Sequence, residues 1–216
     1  LFSMRRSSLL ALALVALLSP RVVAELRLPS IFGPHMVLQR DAADRVWGWD
    51  APDTVVTVEI AGQKKSAKAG PDGRWSVVLD PLRADGKPLV MRVSGSGVKE
   101  FGDVLVGEVW LCSGQSNMQW TVAGSCDSDL ETVAPRRIPG LRLITVPQVG
   151  TQVPQDDFDG QWVEATSESV PEFSGVGFFF GRLLHQILEV PVGLIDNAWG
   201  GSSAEAWVRR DLLEKD

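Results

Sequence analysis

The run Val104-Leu105-Val106-Gly107-Glu108-Val109-Trp110-Leu111-Cys112, followed at once by Ser113-Gly114-Gln115-Ser116-Asn117, decides the fold. A mostly apolar run bounded by small residues reads as a buried parallel strand. A serine just beyond such a strand, beside a glycine, stands where a nucleophile can be presented. Gly114 lets the backbone turn tightly and removes a side chain that would crowd a substrate. If a helix follows, its first amides point at the reacting oxygen, and the Ser116 amide can stabilise an oxyanion. One such donor is typically worth about 3–4 kcal/mol in the transition state. Asn117 can hold the turn by a local hydrogen bond. Taken alone, the tetrapeptide reads equally well as a plain turn, because Ser and Asn are common turn residues.

Downstream the pattern continues as strand, helix, strand, helix. Leu141 to Val146 is a second candidate strand, and the polar stretch Pro147 to Gln161 reads as a loop. Phe173 to Leu188 has helical periodicity, with Phe173, Val176, Phe180, Leu183, Leu184 and Ile187 on one face that is expected to be buried. Pro191 stops that helix. Val192 to Ile195 is a third strand, ending in Asn197-Ala198-Trp199-Gly200-Gly201, after which Ser202 or Ser203 can cap a last helix with Glu205 in its first turn. This order argues for a parallel α/β sheet, in which chemistry gathers at the carboxyl ends of the strands. Ser116 and the Gly200-Gly201 pair both fall at such ends.

Upstream the texture differs. Residues 25–103 read as all-β, with Arg45 to Trp49, Thr54 to Ile60, Trp75 to Leu79 and Leu89 to Val93 as strands. Gly62-Gln63-Lys64-Lys65 reads as a turn, and Pro71-Asp72-Gly73 as a stronger one. Short strands at this spacing predict a β-sandwich. Before them, residues 1–24 have the form of a signal peptide: Arg5-Arg6, an apolar core from Leu9 to Leu18 too short to span a bilayer, and Val22-Val23-Ala24 ahead of a cleavage site. The expected product is exported, secreted or periplasmic, and begins at Glu25. The division is thus 1–24 signal peptide, 25–103 β-sandwich and 104–216 α/β domain.

Composition excludes several function classes. The chain has 216 residues, 44% hydrophobic and 22% charged, which is ordinary globular composition. Net charge is −6, and the three Arg of residues 1–24 make the remainder more acidic still, so nucleic acid and anionic membrane are not expected partners. An anionic sugar would need a local basic group. Two cysteines, Cys112 and Cys126, are no disulfide framework, and only His35 and His185 are available as imidazoles, so neither a metal site nor a cofactor is expected. Eight Trp and no Tyr stand out. Trp47, Trp49, Trp75 and Trp110 lie in strand patterns and are expected in the core. Trp120 and Trp199 lie beside the motif ends and are candidate platforms for a sugar ring.

The block Val106 to Trp120 resembles the nucleophile block of the sialate O-acetylesterases, carbohydrate esterases of the SGNH hydrolase group. Four further blocks resemble the same family in the same order. They are Leu28-Pro29-Ser30-Ile31-Phe32-Gly33 through His35-Met36-Val37-Leu38-Gln39-Arg40, Val46-Trp47-Gly48-Trp49, Asp72-Gly73-Arg74-Trp75, and Val192 through Gly201 with Ala204-Glu205-Ala206-Trp207. The resemblance implies an α/β fold: an N-terminal β-sandwich followed by an SGNH-type three-layer α/β/α domain. It implies a serine esterase in which Ser116 attacks an acetyl carbonyl and forms an acetyl-enzyme, with Gln115, Asn117, Gly200 and Gly201 forming the oxyanion and substrate site. Gly201 is the expected second amide donor. The family usually has Thr after the paired glycines where this chain has Ser202, which keeps the hydroxyl. The implied partner is an O-acetylated carbohydrate of the sialic acid type. Acetylxylan or another polysaccharide is an alternative, and a non-catalytic glycan-binding protein is a second. Oligomeric state is not legible.

A serine hydroxyl needs a base, usually His oriented by an acid. His35 matches the family's opening block, and His185 lies on the polar flank of the predicted helix, so both are expected to be structural. The Asp-x-x-His block that the resemblance implies, and a Gln-Gly-Glu block, do not occur in these residues. The expectation is therefore an incomplete hydrolase domain that is inactive as it stands.

Overall fold

The computed structural model describes residues 25–126, 137–151 and 153–214. The expected signal peptide lies outside them. The elements are β1 (Val37–Gln39), β2 (Arg45–Trp49), β3 (Val55–Ile60), β4 (Gln63–Lys68), β5 (Arg74–Val78), β6 (Leu89–Ser94) and β7 (Val98–Gly114). There follow α1 (Ser116–Gln119), β8 (Ile138–Thr145), β9 (Val163–Ala165), α2 (Gly175–Leu188), β10 (Val192–Ala198), a 3₁₀ turn (Ala204–Trp207) and α3 (Arg210–Leu213).

One strand, β7, organises both halves. Its first part pairs antiparallel with β6 and its middle part parallel with β1. Its last seven residues, Glu108 to Gly114, pair parallel with β10, which pairs parallel with β8 in turn. The main sheet therefore runs β4-β3-β6-β7-β10-β8-β9, while β2 and β5 form a separate antiparallel pair. The result is a mixed α/β architecture. Residue 103, where the two textures meet in sequence, lies inside β7.

Alternation explains the first half. Val56, Val58 and Ile60 of β3 point inward with Met91 and Val93 of β6, while Val46, Trp75 and Val77 of the β2–β5 pair close the same core from the other side. The stretch from Gln63 is a strand rather than the turn its polarity suggested. Only Ala61 and Gly62 turn, and β4 pairs with all of β3. It is polar because it is an edge strand whose residues are exposed or half-buried.

In the second half α2 covers one face of β7-β10-β8, with Phe178, Leu141, Leu143, Val192 and Leu194 in a second core. The other face packs on Trp162 and the segment around Val37, against which a Cβ on Gly193 would press. The face of α2 that is buried differs from the expected one. Gly175, Gly177, Phe178 and Gly181 are buried, whereas Val176, Phe180, Leu183 and Ile187 are exposed, Ile187 by 66%. The cause is close approach: a Cβ on Gly181 would stand 2.6 Å from Leu194 Cδ1, and one on Gly177 would stand 2.9 Å from Cys112 Sγ. Small residues let the helix settle on the sheet and turn the large side chains outward. Trp110 is likewise exposed rather than core, and its ring meets Phe180 edge-on at 5.1 Å.

The last helix is also shorter than expected. Ser202 donates its hydroxyl to the Trp199 carbonyl and accepts from the Trp207 indole, and Ser203 makes no side-chain cap, so the segment breaks into the 3₁₀ turn and one turn of α3. Both cysteines are free, Cys112 buried and Cys126 exposed. No helix among the described residues is long and apolar enough to cross a membrane.

Candidate active site

The parallel pairing of β7 with β10 sets Gly114 opposite Ala198, so the loops that follow these residues emerge side by side. Gly114, at φ 146°, turns the chain out of β7, and Ser116 begins α1. Trp199 N–H donates to the Gly114 carbonyl at 2.9 Å and ties the two loops at their bases. Gly200 then lies against the serine: a Cβ there would be 3.2 Å from Ser116 Oγ. Gly201 follows at φ 76°, a conformation that favours glycine.

Ser116 is exposed and borders two shallow clefts of about 350 and 440 Å³. The first is walled by Gln119, Trp120, Thr121 and Gly124, the second by Gln115, Asn117, Met118 and Val176. Trp120 is 61% exposed, yet its indole N–H donates to the Gly124 carbonyl at 2.7 Å, which restrains the ring. Trp199 is more than one-third exposed beside Gly150.

Three polar groups that sequence reasoning did not single out support this turn. Gln119 Oε1 accepts the Gly200 N–H at 2.5 Å. Ser174, fully buried, donates its hydroxyl to the Met118 carbonyl at 2.5 Å and accepts the Gly177 N–H at 3.0 Å, joining α1 to the start of α2. Asp196, on β10, is buried and accepts the backbone N–H groups of Ala198 and Ser174. Burial outweighs those hydrogen bonds and raises its pKa to about 6. Burial, with Asp196 nearby, also pushes the Cys112 thiol up to about 11. The long-range partnerships of Gln119 and Ser174 leave no local pattern, because the partners lie 56 or more residues apart.

Both histidines lie elsewhere. They line one cavity of about 480 Å³ with Asp103, Arg142 and Glu164, around the amino ends of β8 and β10. The seven residues of β10 separate that end from Gly200, roughly 20 Å at about 3.3 Å per residue. His185 Nδ1 is 2.7 Å from the Val190 carbonyl. His35 Nδ1 is 2.7 Å from Asp103 Oδ2 and 2.9 Å from Arg142 Nη1. The ligand atoms of His35, Asp103 and Glu164 lie within 4.8 Å of one another. The buried positive charge among them is the guanidinium of Arg142, 3% exposed, 2.7 Å from Asp103 and 3.5 Å from Glu164. Burial alone would raise the Asp103 pKa, but the hydrogen bonds from Arg142 and His35 outweigh it and hold the carboxyl below its usual range. The cluster is an ion-pair network joining the segment before β1 and the first part of β7 to β8 and β9.

No family model matches the chain. It is 33% identical over 224 residues to the sialate O-acetylesterase of Mus musculus, a match covering 95% of this chain and 41% of that protein. It is 37% identical over 201 residues to the sialate O-acetylesterase of Homo sapiens, covering 84% and 38%. The crystal structure of a carbohydrate acetylesterase from Xanthomonas citri superposes with a TM-score of 0.83 at 38% identity, covering 88% of this chain and 44% of that one. The chain thus spans about two fifths of the length of the curated relatives it matches.

Proposed function

Because the chain belongs to the sialate O-acetylesterase family, we propose that it carries the nucleophile of a serine esterase that removes O-acetyl groups from carbohydrate. The observation that carries this reading is the juxtaposition of Ser116 Oγ with Gly200 at the carboxyl ends of two adjacent parallel strands. Ser116 Oγ attacks the acetyl carbonyl carbon as its proton passes to a base. The tetrahedral intermediate expels the sugar alkoxide, which leaves protonated, and water then hydrolyses the acetyl-enzyme to acetate. The oxyanion is held by the Ser116 N–H and the Gly201 N–H, since the Gly200 N–H is already given to Gln119. Trp120 and Trp199 offer aromatic faces to the sugar ring. No cofactor enters this chemistry.

Neither His35 nor His185 serves as the base, because both are committed to the cavity at the far end of the sheet. The 216 residues alone are therefore expected to turn over esters slowly. Residues 25–103 are read as a β-sandwich unit, supported by the core shared between the β2–β5 pair and the main sheet. Residues 104–216 are read as the first part of the hydrolase domain, and residues 1–24 as an export signal.

The acetylated substrate has two readings. The family name points to sialic acid. The described residues lining both clefts at Ser116 include no Lys or Arg, which favours a neutral acetylated sugar such as a xylan unit. The test is acetate release by the full-length protein from O-acetylated sialosides and from acetylxylan, with Ser116→Ala beside it. Release from either, abolished by Ser116→Ala, supports the reading. Release that survives Ser116→Ala overturns it.

A further inference from the structure

Two glutamines flank Ser116, and both reach across to the loop after β10. Gln115 precedes the first residue of α1 and Gln119 is its last, and the Gln119 N–H donates to the Gln115 carbonyl at 3.0 Å. Their roles are opposite. Gln119 Oε1 accepts the Gly200 N–H, while Gln115 Nε2 donates to the Ser202 carbonyl. A primary amide carries both an acceptor and donors without a charge, so it can act as acceptor at one position and donor at the other. The bridge therefore brackets Gly201 on both sides without placing a charge beside Ser116.

Resting on the reading of Ser116 as nucleophile, we infer that Gln119 is a positioning residue for the oxyanion site, with Gln115 as its counterpart. By taking up the Gly200 N–H, Gln119 fixes the peptide planes of Trp199-Gly200-Gly201. It removes the Gly200 amide from the reaction and leaves the Gly201 amide as the donor. The fold does not need this bridge. The register of β7 with β10 is set by a ladder of seven pairs from Val192–Glu108 to Ala198–Gly114, and α1 buries no residue. Loss of the bridge therefore shows in chemistry rather than in stability. The amide also matters for its neutrality: a carboxylate at 119 would accept the same N–H but would sit where negative charge builds on the substrate.

The experiment uses the full-length protein, p-nitrophenyl acetate, and hydrogen exchange at the Gly200 amide. Gln119→Met keeps the length of the side chain and removes the acceptor. Its kcat is expected to fall about 10- to 100-fold with KM within about threefold, the pattern of a group acting in the transition state rather than in binding. Its melting temperature is expected to be unchanged, and Gly200 is expected to exchange faster. Gln119→Glu restores an acceptor and is expected to restore slow exchange at Gly200. Gln115→Glu sets a carboxylate against the Ser202 carbonyl and is expected to lower kcat. Unaltered Gly200 exchange in Gln119→Met overturns the inference, and so does an unaltered kcat in that variant while Ser116→Ala is inactive. Turnover that survives Ser116→Ala defeats the nucleophile reading instead, so the two failures are distinct.

Discussion

Replacing Asp196 by Asn removes a titrating group from beneath the proposed oxyanion loop while leaving an oxygen for the Ser174 and Ala198 amides. The magnitude follows from its position. Asp196 is buried, its Oδ1 has no hydrogen-bond partner among the described residues, and its pKa rises from 3.8 to about 6. The folded protein therefore holds a proton that the unfolded chain releases between those values. Stability from this group is fully present below pH 3.8 and is lost as pH rises through about 6. At about 1.4 kcal/mol per pKa unit, the charged form costs roughly 3 kcal/mol near neutrality. The neutral amide of the Asp196→Asn variant has no such slope. Urea denaturation followed by tryptophan fluorescence, from about pH 4 to about pH 7.5, is expected to show the stability difference between Asp196→Asn and the parent widening by about 2 kcal/mol in favour of the variant, the rest of the effect lying below pH 4. Asp44, which burial also raises to about 6, is common to both proteins and cancels. A difference that stays flat across the range, or widens toward low pH, refutes the reasoning.

Further outcomes follow from the packing. On α2, Leu183→Lys or Ile187→Glu is expected to shift unfolding by no more than about 0.5 kcal/mol, whereas Phe178→Ala is expected to cost about 3–5 kcal/mol; the reverse order in denaturant titrations would restore the large apolar stripe to the core. Native protein is expected to react with a thiol reagent at Cys126 alone, because Cys112 is buried with its thiol pushed up to about 11. Two rapidly reacting thiols, read by absorbance, would contradict that placement.

Much of the frame is legible in the residues because it is local. Alternation marks β2, β3 and β5, and the apolar run to Cys112 marks the strand that carries Ser116 to its end. What is not legible depends on partners far along the chain. The polar strand Gln63–Lys68 looks like loop until β3 pairs with it. The periodicity of α2 identifies a helix but assigns burial by side-chain size, whereas Gly177 and Gly181 decide which face meets the sheet. β7 is one strand of 17 residues although its two halves differ in texture, because each half faces different neighbours. At the site, the positions of Ser116 and Gly200 follow from strand ends. Gln119, Ser174 and Asp196 take their roles from contacts that only the folded chain creates.

The identity of the reacting atom is the point on which everything else rests. The most direct measurement is peptide mapping by mass spectrometry of the full-length protein after treatment with a fluorophosphonate, which traps an activated serine. A single adduct on Ser116, absent in Ser116→Ala, is the expected result. An adduct on another residue, or full turnover of an acetyl ester with Ser116 unmodified, would contradict it.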